Sequence, residues 1–427
     1  MSLSLKQLLF NHNATDKQGS ALNLRIDYDE AIVGPEWARA PNRPPFEQSI
    51  AYAARSIDPA MLGLFANFAF SGPPPQRLEI QAVPDRPRLS GADKRAAKFQ
   101  ALALTWAPIN PSLAEYYSAL ALQLLEPVPL LGRIAPTPVA IAASGESGPV
   151  FLKLNGGVLK AAAVGIHEIA WRWQFRTGQN PHWQDFETSY HRIFTTLDLP
   201  VAPWIQEPAE VWNSALPWSQ ALELACDWSA GAMFQREVAA SICGSIHAMG
   251  GRQIEYGCPV GAREMYANTP MGIFDLTAFI ERSRNGLGNG PYVNCTDCAC
   301  AVSTLANLLG VELWQGRMGE YDPAFLLRAS QTIGHSSWGS PCGLGVGFMF
   351  HEVAWSGGCR EEDQIYDASV VVDSNLTSYV HFPLPLLPAG IQFGAAWQPL
   401  YRQMLAAPGS LFICHPLPEE RRRRALI

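Results

Sequence analysis

Between residues 149 and 199 the segments PVFLKL, IHEIAWRWQFR and HRIFTTLDL are rich in β-branched and aromatic side chains, and the turn strings NGG and TGQNP separate them. Residues of this kind suit a pleated, half-buried surface, so the pattern predicts strands joined by tight turns. The rest of residues 1–203 also reads mainly as strands and loops, with Pro73, Pro74 and Pro75 marking a turn. A β-rich region resembling a small antiparallel sandwich is the expectation. Two segments stand apart. FEQSIAYAARSI fits a helix, while the alanines and leucines of residues 99–125 fit a helix or an alternating strand equally well.

The period changes after the proline-punctuated PVAPWIQEP at residues 200–208. WSQALELACDWSAGA, FQREVAASICGSIHAMGG and DLTAFIERSR carry apolar residues at helical spacing, the second stopping on Gly250 and Gly251. The main domain boundary therefore falls close to residue 204, dividing the chain into 1–203 and 204–427. The glycine-rich NGLGNGPY follows a helix, not a strand, and lacks the dinucleotide fingerprint; it reads as a hinge into the next helix. That helix, NCTDCACAVSTLANLLG, begins at Cys295 with Asn294 as N-cap and Asp297 in its first turn. Cys295, Ala299, Val302, Ala306 and Leu309 share an apolar face, and Gly310 supplies the stop. Further on, GVGFMFHEVAW and QIYDASVVVD read as strands around the turn SGGCREED, with His351, Val353 and Trp355 on one face.

Composition narrows the classes. The 427 residues suffice for two or three domains, and 48% hydrophobic against 16% charged residues is globular. A net charge of −7 offers no basic footprint for nucleic acid. Apolar runs such as PVPLLGRIAPTPVAIAAS are broken by Arg133 and prolines before they could cross a bilayer, so no membrane partner is expected. The N-terminal residues lack a secretory pattern, and nine irregularly spaced cysteines suggest reduced thiols in the cytoplasm, although delivery by a dedicated export machine would leave the same marks. The arginine run at residues 421–424 reads as part of a solvated tail.

The chemistry centres on three residues. A cysteine at a helix start meets unpaired backbone amides and the positive end of the helix dipole, which favour thiolate and can hold an oxyanion. The plain alternative for Cys295 is a buried structural thiol. Cys298 and Cys300 are expected to pack, because Cys295-x2-Cys298 has no second ligand pair with which to bind zinc; no metal and no cofactor are expected. In a hairpin His351 and Asp367 can lie side by side, the carboxylate fixing the imidazole tautomer and stabilising the imidazolium. Asp373 could replace Asp367 if the strand register differs.

Cys295 at a helix start, Ala299 four residues on and Gly310-Val311 after a leucine-rich turn resemble the transglutaminase-like superfamily, as do His351 on a following strand and Asp367-Ala368-Ser369. The resemblance spans residues 204–400. It implies a papain-like α+β fold for the C-terminal domain, with Cys295 as nucleophile, His351 as base and Asp367 as orienter. It also implies acyl transfer on amide bonds through a thioester. A peptidase or amidase acting on a polypeptide or other amide is the expected form, with a protein-crosslinking transglutaminase as one alternative and an inactive papain-like binding protein as another. The aromatic-rich N-terminal region could recognise a polypeptide, a carbohydrate or a protein partner.

Overall fold

The computed structural model describes residues 2–39, 44–72, 75, 77–85, 100–101, 103–104, 107–108, 111, 114–115, 117–118, 129–178, 180–206, 215–339, 342, 347–375, 381, 383, 391–394 and 400–427. The ambiguous segment 99–125 lies largely outside them. Two compact units divide the chain: residues 1–26 with 31–198, and residues 199–427 with the short stretch 27–30. No helix among the described residues is long and apolar enough to cross a membrane.

Among the described residues, the strands of the first unit form one ten-stranded sheet. Its strands are β1 (Ser2–Leu9), β2 (Trp37–Ala38), β3 (Phe46–Glu47), β4 (Ile50–Ala53), β5 (Gly63–Ser71), β6 (Leu78–Asp85), β7 (Arg133–Pro138), β8 (Val150–Asn155), β9 (Gly165–Thr177) and β10 (Asn180–Thr196). They run in the order β3-β2-β1-β5-β8-β7-β6-β9-β10-β4. The sheet folds over on itself. Phe10, just past β1, stacks on Trp171 of β9 at 6.0 Å and meets His191 of β10 edge-on at 5.1 Å, although these strands are far apart in the order. The enclosed core joins Leu5, Leu8 and Phe68 to Trp171, Trp173 and Ile193. One sheet thus wraps the core where two separate sheets were expected.

FEQSIAYAARSI is not a helix. It forms β3, β4 and a 3-10 turn at Ala54–Ser56. All four residues of β4 are buried beside β10, which they pair in parallel from Ile50 opposite Ile193 to Ala53 opposite Thr196. A strand covered on both faces loses the period-two signal, so its apolar run can be read as a helix.

The second unit is α+β. Its helices are α1 (Ser219–Trp228), α2 (Gln235–Ala248), α3 (Leu276–Asn285), α4 (Cys295–Leu308) and α5 (Leu400–Leu405). Short strands β11 (Glu255–Tyr256), β12 (Ala267–Asn268), β13 (Ile273–Phe274) and β14 (Tyr292–Val293) precede α4; β15 (Leu313–Met318), β16 (Ser330–Thr332), β17 (His351–Ser356), β18 (Gln364–Tyr366), β19 (Val370–Val372), β20 (Ile391–Gln392), β21 (Pro416–Arg422) and β22 (Ala425–Leu426) follow it. Five of these make the antiparallel sheet β20-β18-β17-β15-β21. Every residue of α4 is buried, with α1, α2 and this sheet packed around it. Gln315 of β15 donates to Ser303 of α4 across one sheet face, while Val353 and Trp355 of β17 join Phe393 and Tyr401 in a core on the other.

Two sequence expectations are corrected in this unit. Cys258 and Cys342, 84 residues apart, form a disulfide with their Cα atoms 4.9 Å apart; the other seven cysteines are free. Spacing cannot show such a pair, because only the folded chain brings its halves together. The arginine run is no solvated tail either. Arg421 and Arg422 close β21 on β15, Ala425 and Leu426 pair with β13, and Arg424 is buried. Alternation decides the outcome: Arg421 and Arg423 lie over the Trp314 ring, whereas Arg424 turns inward.

Candidate functional site

A capping box fixes the start of α4. Asn294 accepts the Asp297 N–H at 3.0 Å through its side chain, and Asp297 accepts the Asn294 N–H at 3.1 Å in return. The same Asp297 carboxylate takes the N–H groups of Met265, Tyr266 and Ala267 at 3.1, 2.9 and 2.7 Å, which ties the loop before β12 to the helix. Burial pushes its pKa up, the four backbone bonds oppose the rise, and the result is about 6. The glycine loop that feeds the helix is a close turn. Gly288 has φ +79°, and a Cβ there would sit 2.2 Å from the Ala278 carbonyl oxygen.

Cys295 thus stands at the first position of a rigidly capped, buried helix. Of the seven free cysteines it keeps the most surface, 5% against 2% for Cys298 and none for Cys300. It interacts electrostatically with the His351 imidazole and with the Tyr256 side chain. On the far side of the ring, His351 Nε2 donates to Asp367 Oδ2 at 2.8 Å. Nδ1 is buried with no partner of conventional hydrogen-bond geometry, and it is the nitrogen left for the thiol. Phe348 stacks on the imidazole at 5.1 Å and on Tyr256 at 6.4 Å, covering the group with aromatic surface.

Asp367 follows the last residue of β18, where the sheet register sets it beside the start of β17. Its Oδ1 accepts Ser369 N–H and O–H at 2.8 and 2.7 Å and Val370 N–H at 3.1 Å; its Oδ2 accepts the Tyr401 hydroxyl besides His351. Burial alone would raise this carboxyl's pKa, but His351, Tyr401 and Ser369 together hold it below the usual value. For His351 burial pulls downward, while the Asp367 charge and hydrogen bond, with a smaller share from Cys295, push the ring up to about 10. Asp373, the other candidate orienter, pairs with His381 at 2.8 Å instead.

These shifts set a pH dependence of stability. An imidazole raised from about 6.5 when unfolded to about 10 when folded stabilises the fold fully below the first value, and loses that contribution as pH climbs through the second. Asp367, depressed on folding, contributes above its unfolded pKa and loses the contribution as pH falls below it. Urea midpoints of the parent should therefore decline between neutrality and pH 10 more steeply than those of His351→Gln. Parallel declines would refute the assignment.

Cys298 and Cys300 are buried, and Cys300 Sγ accepts from Arg424 at 3.2 Å, so both pack as expected. Sequence reasoning missed Tyr256 and Tyr401. Tyr256 sits in a two-residue strand between turns, and Tyr401 in a short helix 34 residues beyond Asp367; neither carries a periodic signal.

Fold and site together define a class: an α+β unit with a buried central helix against an antiparallel sheet, with a cysteine at the helix start that interacts electrostatically with a histidine hydrogen-bonded to an aspartate. No family model matches the chain, and no curated protein matches it. Among solved structures it is similar to a transglutaminase of red sea bream, at 12% identity and a TM-score of 0.32 over 77% of this chain. The match covers 50% of that chain, so the sequence spans about half that protein's length.

Proposed function

We propose that the second unit is a cysteine-dependent acyl-transfer enzyme acting on amide bonds, most simply a peptidase or amidase. The carrying observation is the arrangement itself: a thiol at a helix N-terminus in electrostatic contact with an imidazole whose Nε2 is held by a five-times hydrogen-bonded carboxylate. In this reading the Cys295 proton already resides on His351, held as imidazolium below about pH 10, and the thiolate attacks an amide carbonyl carbon. The carbonyl π pair moves onto oxygen. Collapse of the tetrahedral intermediate breaks the C–N bond, and His351 imidazolium gives its proton to the departing amine. Water, activated by the now neutral imidazole, resolves the thioester; an amine acceptor would give transamidation instead.

The test is iodoacetamide labelling with peptide mapping, followed across pH in the parent and in His351→Ala. Fast labelling at Cys295 that depends on His351 supports the reading. Equal rates in both proteins, or labelling only of other thiols, would leave Cys295 a structural residue. Because departure of an amine needs the imidazolium proton, amide turnover should also fall as pH rises through about 10.

A further inference from the structure

In the first unit the chain between β1 and β2 closes around an amine that the acyl-transfer reading leaves unused. Lys17 is 4% exposed, and its Nζ donates to Asn11 Oδ1 at 2.8 Å, to the Asn13 carbonyl at 2.6 Å and to Asn23 Oδ1 at 2.8 Å. Three neutral amide oxygens thus take the three N–H directions of an ammonium. Burial lowers its pKa to about 8, with Glu36 and then Asp16 pulling the other way, so the neutral amine is within reach. Asn11 is fixed beside it. Its Nδ2 donates to Asn23 Oδ1 at 2.8 Å, and its backbone N–H donates to Glu36 Oε1 at 3.4 Å. Asn23 is held in turn by donating to the Ala14 carbonyl at 2.8 Å. Glu36 is 4% exposed, takes the Phe10 N–H on Oε2 at 2.7 Å, and has its pKa raised by burial against the pull of these bonds.

A nucleophile, an amide carbon and a buried carboxyl therefore share one cluster. The Asn11 carbonyl carbon lies at most one C=O bond, about 1.2 Å, beyond the oxygen that Nζ already touches. When Nζ gives up one proton, Asn13 and Asn23 keep its two hydrogens, and the lone pair takes the remaining tetrahedral direction, toward the Asn11 amide. We propose that Lys17 and Asn11 join spontaneously in an isopeptide bond, with Glu36 as the proton carrier. Neutral Nζ attacks Asn11 Cγ, and the carbonyl π pair moves onto Oδ1. Glu36 accepts a proton from Nζ and delivers one to Nδ2. The pair on Oδ1 re-forms the C=O bond, the Cγ–Nδ2 bond breaks and ammonia leaves. One C–N bond replaces another, so no oxidant, cofactor or second substrate enters. The product is a covalent ring through residues 11–17 that pins this loop, and its formation is independent of the chemistry at Cys295.

Intact mass of the denatured full-length protein, followed by tryptic mapping, tests the bond. The parent should weigh one ammonia less than its sequence. Trypsin should fail after Lys17 and leave a peptide of residues 7–25 that gives no fragment ions from breaks between Asn11 and Lys17. Lys17→Arg should keep the full sequence mass. In samples followed from synthesis onward, Glu36→Gln should form the bond on the order of 100-fold more slowly. A parent at full sequence mass would overturn the proposal. So would ammonia loss with normal cleavage after Lys17, the mark of a succinimide at an asparagine, or fragments that place the ring between Lys17 and Asn23. Linkage at the parent rate in Glu36→Gln would overturn the role of the carboxyl.

Discussion

Replacement of Cys295 by alanine is expected to lower amide turnover on the order of 10⁴-fold, the scale on which loss of one member of a nucleophile–base pair acts. In the proposed chemistry the thiol is the one group that forms a bond to substrate, so no neighbour can substitute for it. Cys298, one turn further on, is 2% exposed, and burial followed by the Asp297 and Asp367 charges raises its pKa well above the ordinary thiol value. The fold should survive. Alanine keeps the helix propensity at the first position of α4, and the Asn294–Asp297 box that caps it is untouched. The check pairs a turnover assay with a thermal melt: activity retained in a folded Cys295→Ala protein would remove the proposed chemistry altogether.

The second large effect concerns stability. Arg424 has a fully buried side chain and donates to Glu352 and Gln315 at 2.7 Å each, to Thr269 at 2.8 Å and to the Cys300 sulfur at 3.2 Å. Glu352 is also held by Thr296, the residue after Cys295. The network therefore joins the helix, the central strand and the end of the chain in one buried polar cluster. Arg424→Ala strands the Glu352 carboxylate in the interior and is expected to cost about 3–5 kcal/mol. Combining Glu352→Gln with Arg424→Met removes both charges and should cost markedly less, since no unpaired ion remains. Urea denaturation of the two variants decides the matter. A loss below about 1 kcal/mol for Arg424→Ala, typical of an exposed pair, would show that Glu352 finds another partner.

The parts of this protein that local physics governs were readable from its sequence. Asn294, Asp297 and the stop at Gly310 mark the helix that begins at Cys295 because capping is a matter of a few consecutive residues. The strands at β8, β9 and β10 show themselves by residue type and turn strings, and α1, α2 and α3 by their spacing. His351 and Asp367 could be paired because an antiparallel hairpin has a fixed geometry, and their 2.8 Å contact is the result.

What depends on contacts distant in sequence was not readable. FEQSIAYAARSI became strand because β10 lies beside it, and the N-terminal strands closed into one folded sheet because Phe10 reaches Trp171 and His191. The Cys258–Cys342 bond, the inward turn of Arg424 and the arrival of Tyr256 and Tyr401 at the relay all need residues tens to hundreds of positions apart to meet. Sequence alone determined which residues could do chemistry, since charge, nucleophilicity and capping are properties of single side chains and their near neighbours. Tertiary structure decided which of them touch, because burial and long-range pairing exist only once the chain has closed on itself.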